Sequence, residues 1–124
     1  MIPNSRYWRV RFLTNNGGPN LGVATIDFCG REDGPGYATG GTAIASHGDA
    51  SGAFTGGTPW YVEFSPGNTW IGYIFPNIIA PSWISISSGG PDAPTTGIVE
   101  ASNDGRVWYA IDGEIVFNFP LEPV

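Results

Sequence analysis

Apolar and polar residues alternate with a period of two in most apolar runs of this chain. The central stretch is the clearest example. Over positions 60–64, Trp, Val and Phe alternate with Tyr and Glu, and over 70–75, Ile, Tyr and Phe alternate with Trp, Gly and Ile. Such alternation of aromatic and β-branched residues predicts β-strands. The intervening Ser65-Pro66-Gly67-Asn68 predicts a turn, because Pro presets one dihedral and Gly or Asn accepts a positive φ. The centre of the chain is therefore predicted to be two strands with a tight connection.

The same pattern recurs on both sides of this stretch. Further strands are predicted over 7–13, 21–28, 42–46, 83–87, 96–101, 107–111 and 114–119. The strongest turn signals between them are Ser102-Asn103-Asp104-Gly105 and Asp112-Gly113, since these residue types accept positive φ at low cost. No window of a dozen residues has a clean helical period, so no long helix is expected. About eight or nine short strands, with turn signals roughly every ten residues, predict an antiparallel all-β sandwich or barrel. Residues 1–124 are expected to form a single domain.

Composition and charge exclude several classes of function. Hydrophobic residues make up 41% of the chain and aromatic residues 14%, so disorder is not expected. The net charge of −6 argues against unaided nucleic-acid binding, which needs a basic surface. It also leaves no polybasic patch for a membrane, and the apolar stretch 70–86 is too short and too interrupted by Pro and Ser to span one. The N-terminus shows no signal-peptide pattern.

No set of residues indicates catalysis. Ser46, His47 and Asp49 lie within four residues of one another, whereas a catalytic triad brings its members together from separate segments. The acidic residues occupy turns or alternate strand positions, and no pair stands out for glycoside hydrolysis. A lone His and a lone Cys cannot form a zinc site. Cys29 is expected to be an inert, partly buried thiol without a disulfide partner.

The aromatic residues are the best candidates for a binding surface, because a rigid ring covers a large area at low entropic cost. Three Trp residues occupy strand positions and are expected in the core or between the sheets: Trp8, Trp70 and Trp108. The aromatic and loop residues predicted to form a contact surface are Tyr37, His47, Trp60 and Tyr61. For Trp60 the alternative is that it fills one end of the sandwich.

Three segments of the chain resemble motifs of one known family. Residues 53–58 are AFTGGT, residues 70–75 are WIGYIF, and residues 102–108 are SNDGRVW. They resemble, in order, the A-F-D-G-N-T turn, the W-I-G-Y-D-F strand and the S-N/D-D-G-x-x-W hairpin of the discoidin domains. These are also called coagulation-factor C-type or galactose-binding-like modules.

The N-terminal segments resemble the same family in a different order. Residues 7–12 (YWRVRF) and 24–28 (ATIDF) are similar to the family's closing strands, Y-x-R-I-x-F and A-E-I-E-F. They come first here, which resembles circularly permuted discoidin-like proteins of bacteriophage genomes and virions. The likeness covers nearly the whole chain. It implies an antiparallel jelly-roll β-sandwich of about eight strands, galactose-binding-domain-like and without catalysis.

Many members of this family hold a structural calcium near the A-F-D-G-N-T turn. Here Thr55 takes the acidic position of that turn, Gly57 takes its Asn position, and Thr25 takes the first Glu position of A-E-I-E. Calcium normally requires several hard oxygens that include carboxylates. We therefore expect no tight calcium site and no other cofactor.

The resemblance implies a non-catalytic binding or assembly module of a bacteriophage virion, such as a tail-fibre, baseplate or tail-associated protein. Its partners would be a cell-surface glycan or neighbouring virion proteins, contacted through loops, with no nucleic acid and no membrane insertion. The alternative is a purely structural part, such as a capsid decoration or baseplate cap, without a glycan ligand. The protein would be made in the host cytoplasm and located in the virion. A single binding domain gains useful avidity only as several copies, so an array or a homo-oligomer is expected.

Overall fold

The computed structural model describes residues 5–31 and 35–117, and this part of the chain is almost entirely β. Its elements, in chain order, are β1 (Ser5–Asn15), β2 (Asn20–Val23), β3 (Thr25–Cys29), β4 (Thr42–Ala45), α1 (Ser51–Thr55), β5 (Trp60–Glu63), β6 (Thr69–Ile79), β7 (Trp83–Ser87), β8 (Pro94–Ser102) and β9 (Tyr109–Val116). None of the helical structure described is long and apolar enough to cross a membrane.

The strands form one large sheet and two strand pairs, all antiparallel. The large sheet has the order β4-β6-β1-β8-β9, while β2 pairs with β5 and β3 pairs with β7. Strand β1, which is eleven residues long, lies at the centre of the large sheet and pairs with β6 on one side and β8 on the other. The all-β antiparallel class predicted from the alternation is confirmed.

The core lies between the large sheet and the two strand pairs. On β1, Trp8, Val10 and Phe12 are all buried, as their alternation predicts. The ring of Trp8 packs on Phe28 of β3 at 6.5 Å between centroids, and Phe12 packs on Trp60 of β5 at 6.4 Å. These contacts join the two layers into a sandwich-like fold.

The strand predicted over 21–28 is in fact two strands that separate at Ala24. Strand β2 pairs with β5, and β3 pairs with β7. The buried positions change phase at this point, since Leu21 and Val23 are buried before it and Ile26 and Phe28 after it. An unbroken strand keeps one parity for each face, so the chain must bend there to bury both sets.

The two central strands are not partners, although the turn between them is confirmed. The amide of Asn68 donates to the carbonyl of Ser65 at 2.9 Å, and Gly67 has a φ of 76°. Beyond the turn, β5 pairs with β2, whereas β6 pairs with β1 and β4. The turn therefore connects the two layers and does not close a hairpin.

At the end of the described chain, one of the two predicted hairpins is confirmed and the other is wrong. Strands β8 and β9 pair across the 102–105 turn, where Gly105 has a φ of 77°. Strand β9 then continues through 112–113, with Ile111 opposite Val99 and Ile115 opposite Gly97. Two extra residues on β9 form a bulge there, which a Gly tolerates as easily as a turn. Positions 118 and 119 of the predicted last strand lie outside the described residues.

Candidate functional site

The face of the large sheet that points away from the core carries an open groove, which we call the outer-face groove. It encloses about 580 Å³, which is within the usual size of small-ligand sites. Its lining combines aromatic, cationic and acidic side chains with aliphatic ones: Tyr7, Arg9, Ile44, Ala45, Trp70, Ile74, Asp104, Gly105, Arg106 and Trp108.

The alternation along β1 places the polar side of the groove. Because Trp8 points into the core, Arg9 points outward. In register, Arg9 lies opposite Gly72 of β6 and Glu100 of β8. A Cβ atom at position 72 would lie 2.7 Å from the Cβ atom of Arg9 and would also clash with the carbonyl oxygen of Trp8. Glycine at this position therefore lets the Arg9 side chain lie close over the sheet.

Arg9 forms the floor of the groove between two tryptophans. Its guanidinium carbon lies 4.8 Å from the centroid of the Trp70 ring and 4.1 Å from that of Trp108. The two ring centroids are 6.2 Å apart, and the ring planes are inclined by 43°. Both distances allow cation–π attraction, which stabilises each ring by roughly 0.5–2 kcal/mol. The two half-buried rings are thus held in fixed positions before any ligand arrives.

Glu100 neutralises the cations beneath the groove. Its Oε1 accepts from the Nε atoms of Arg9 at 2.8 Å and Arg11 at 3.2 Å, and its Oε2 accepts from Arg11 Nη2 at 3.3 Å. The residue is only 6% exposed. A carboxylate this buried is stable when charge-assisted hydrogen bonds satisfy its oxygens, as they do here.

The turn between β8 and β9 positions the end of the groove. Asp104 Oδ1 accepts from the amides of Arg106 at 2.8 Å and Val107 at 3.1 Å, and from the hydroxyl of Ser102 at 3.1 Å. The two backbone hydrogen bonds hold the pKa of Asp104 below its usual value. This local bonding fixes the backbone that carries Arg106 and Trp108, as expected of Asp in a turn.

Of the four contact residues predicted from the sequence, Trp60 lies in the core. It is 1% exposed, and its indole N–H donates to the carbonyl of His47 at 2.8 Å. The alternative, that Trp60 fills the sandwich, therefore applies, because it takes the inward parity of β5 beside Phe12. His47 itself is exposed, and its Nδ1 lies 2.9 Å from the hydroxyl of Ser46.

The other two predicted contact residues are exposed but belong to different parts of the second layer. Tyr61 is 59% exposed, and its hydroxyl donates to Asp92 at 2.8 Å and accepts from Asn20 at 2.9 Å. The pKa of Tyr61 is raised, mainly by the hydrogen bond to Asp92, while the hydrogen bond from Asn20 acts in the opposite direction. Tyr37 is 39% exposed and packs over Gly30 at the end of β3. None of the four lines the outer-face groove.

In the loop that contains Ser46, His47 and Asp49, two of these side chains bind backbone groups of neighbouring elements. The hydroxyl of Ser46 accepts from the amide of Trp70 at 2.9 Å and donates to its carbonyl at 3.3 Å, which ties β4 to β6. Asp49 accepts from the amide of Ser51 at 2.9 Å, so it binds the start of α1. In the described residues no hydrogen bond joins His47 to Asp49. The prediction that the chain is not an enzyme remains a prediction.

Two of the positions at which the family resemblance would place calcium ligands, Thr55 and Thr25, have hydroxyl groups with hydrogen-bond partners inside the protein. Thr55 donates to the carbonyls of Ser51 and Gly52, and Thr25 pairs with the hydroxyl of Ser87. Within the described ranges no group of three or more His, Cys, Asp or Glu side chains could hold a metal ion. The absence of tight calcium stays a prediction.

A second cavity of about 430 Å³ lies between β7 and β9. Its described lining is almost wholly apolar, with Trp83, Ile84, Ile111 and Phe117 among the residues and Ser82 as the polar one. Ligand sites combine apolar walls with a few convergent polar groups, and this combination occurs in the outer-face groove.

The single cysteine, Cys29, is buried, and burial, followed by the charge of Asp27, raises its pKa. The thiol is therefore poorly reactive.

The outer-face groove was missed because Trp70 and Trp108 were predicted to lie in the core or between the sheets. The alternation along β6 could have indicated that Trp70 points outward. Ile71 and Tyr73 are buried, and successive side chains of a strand point to opposite faces. Arg9 likewise has the opposite parity to Trp8. Which outward residues of separate strands meet depends on the strand order, which no single segment encodes.

Comparison of the chain with protein-family models, with curated proteins and with solved structures finds no match. The discoidin resemblance therefore rests on the sequence motifs quoted above.

Proposed function

We propose that this protein is a non-catalytic binding module that recognises carbohydrate through the outer-face groove. The observation that carries the proposal is the pair of half-buried tryptophans that both pack on Arg9 in an open groove. A pyranose ring has an apolar face of C–H groups and an equatorial rim of hydroxyls. A rigid indole buries the apolar face at low entropic cost.

Polar groups at the same end of the groove suit the hydroxyl rim. Arg106 offers guanidinium donors, and Asp104 offers a carboxylate oxygen beyond the one used by the turn amides. The hydroxyl of Tyr7 can both donate and accept. Aromatic walls with a few such groups are the usual composition of a small-ligand site.

The setting of the proposal comes from the family resemblance alone, which is an argument by association. On that basis the module belongs to a bacteriophage virion and its ligand is a cell-surface glycan, and the sandwich-like fold is of the jelly-roll, galactose-binding type. The second candidate is a structural virion component that uses the same surface only to contact a neighbouring virion protein.

A glycan panel with three proteins tests the proposal. The wild-type chain and Tyr61→Ala, which removes an exposed ring outside the groove, should bind the same glycans. Trp108→Ala should lose at least tenfold in affinity, because a well-placed aromatic anchor contributes more than about 1.4 kcal/mol. Circular dichroism spectra should show all three folded.

Two results would contradict this assignment. Loss of binding in Tyr61→Ala with full binding in Trp108→Ala would move the site to the second layer. A blank panel for the wild-type chain would favour the structural alternative.

A further inference from the structure

We propose that the saccharide in the outer-face groove carries a carboxylate and that Arg106 binds it. This inference rests on the function proposed above and names the ligand class for the same site.

The arginines of this face differ in how much of their charge is available. Arg9 lies against both indole rings and is bonded to Glu100, and Arg11 is bonded to Glu100 and to the carbonyl of Gly67. Arg106 is exposed and lines the groove, and its guanidinium makes no hydrogen bond or ion pair with the described residues. It is therefore the cation of the groove whose donors remain free for a ligand.

The position of Arg106 is nevertheless defined. Its amide bonds to Asp104, and the next residue but one is Trp108, whose ring lies on Arg9. A ligand ring that stacks on Trp108 thus lies in the groove that Arg106 also lines, and the turn holds the backbone of Arg106 in place. This reduces the entropy that would be lost on binding.

The local charge also favours an anion. The residues that line the groove or lie directly beneath it include three arginines and two carboxylates, and one of these carboxylates, Glu100, is buried and bonded to two of the arginines. The other, Asp104, is exposed, but two backbone N–H dipoles point at it. The groove is therefore locally positive on a chain whose net charge is −6. A guanidinium fork matches a carboxylate with two parallel hydrogen bonds, whereas a neutral hydroxyl uses one donor.

The test uses matched pairs of ligands that differ in the acid group alone. Oligogalacturonates are compared with their methyl esters, and sialylated glycans with the same glycans after desialylation, by calorimetry on the full chain. The acid form of at least one pair should bind at least tenfold more tightly in low salt. The difference should shrink at 0.5 M NaCl, because exposed charges are then screened.

Variants test whether Arg106 causes the preference for the acid form. Arg106→Gln should remove the difference in affinity between the acid form and its neutral partner. The neutral partner should lose much less affinity than the acid form, because its hydroxyls use single donors of Arg106 and not the fork. Arg106→Lys, which keeps the charge but not the fork, should retain part of the preference. Arg31→Gln makes the same charge change at an exposed residue outside the groove and should have no effect.

The outcomes separate the two proposals. Equal binding of acid and neutral partners, or an acid preference that survives Arg106→Gln, would overturn this inference and leave carbohydrate binding in place. Absence of binding to every member of the panel would overturn both.

Discussion

At the residue scale, Glu100 is the charge on which the outer-face groove depends most. It is buried and satisfies both Arg9 and Arg11, and Arg9 in turn orients the rings of Trp70 and Trp108. One carboxylate thus fixes the floor and both walls of the groove. Its effect on stability and its effect on the site should therefore appear together.

Replacement of Glu100 by Gln should destabilise the protein by about 1–3 kcal/mol. Loss of one partner of a buried pair is costly because the remaining charge is left without compensation, and the partial exposure of the two arginine side chains, 14% and 27%, reduces that cost. Urea denaturation at pH 7 measures the change. Glu63→Gln is the control, since Glu63 is exposed on β5 and should change the free energy of unfolding by less than about 0.5 kcal/mol. Equal effects of the two variants would contradict the role given to Glu100.

Asp104 should make the β8–β9 turn sensitive to acid. Its pKa is lower in the folded state because backbone amides bind its ionised form. Its contribution to stability is therefore fully present above the unfolded pKa, near 3.9, and is lost as the pH falls through the lower folded pKa. The stability difference between the wild-type chain and Asp104→Asn, measured by urea denaturation, should be constant from pH 7 to about pH 5 and shrink below about pH 4. A difference that does not change with pH would refute this account.

At the scale of the elements, the approach of β6 to β1 decides whether the groove exists. The two strands pair from Tyr7 to Phe12 without interruption, and Gly72 lies opposite Arg9 in that register. Side chains on both strands at this point would compete for the space that the Arg9 stem occupies. Because Gly72 has no side chain, this space is available to the side chain of Arg9.

Gly72→Ala should therefore destabilise the sheet and disturb the groove. The added methyl would meet the backbone of β1 at distances that no side-chain rotation relieves, and overpacking of this kind costs about 1–3 kcal/mol or more. Thermal unfolding gives the stability. Near-ultraviolet circular dichroism gives the environment of the two indole rings. Gly113→Ala is the matched control, because a Cβ atom there would meet nothing within 4 Å. A Gly72→Ala protein as stable as Gly113→Ala would show that the strands are further apart than described.

At the scale of the whole molecule, one aromatic cluster holds the two layers together. Phe28 of β3 is fully buried and contacts Trp8 of β1, Phe75 of β6 and Phe54 of α1, with centroid distances of 6.5, 5.8 and 6.5 Å. Phe28 thus joins the β3–β7 pair to the large sheet and to the helix, and its loss should affect the cooperative unfolding of all three.

Phe28→Ala should lower the free energy of unfolding by about 3–5 kcal/mol, from lost transfer energy and the cavity that is left. Tyr109→Ala, at a residue 59% exposed on β9, should cost much less. Chemical denaturation followed by tryptophan fluorescence and by far-ultraviolet circular dichroism should give coincident transitions for both variants. Transitions that separate in Phe28→Ala would indicate that the layers unfold independently.

Local pattern determined much of the fold in this chain. Period-two alternation identified nearly every strand, and the parity of β1 predicted which of its residues are buried, because strand geometry sends successive side chains to opposite faces. The turn at 65–68 and the hairpin at 102–105 followed from residues that accept positive φ. The turn predicted at Asp112-Gly113 is wrong, because a bulge within a strand favours the same residues as a turn.

Tertiary structure decided which strands became neighbours, and with that the site. The segments 60–63 and 69–79 are adjacent in the sequence but lie in different layers, whereas β1 and β8 pair although some eighty residues separate them. Trp60, a candidate for the contact surface, lies in the core because β5 packs against Phe12. Trp70 and Trp108 form the walls of a groove because β6 and the turn that precedes β9 both have outward-facing rings near Arg9. Parity is a property of single residues and can be read locally. The meeting of three strands at one arginine depends on long-range pairing, which the folded chain establishes only as a whole.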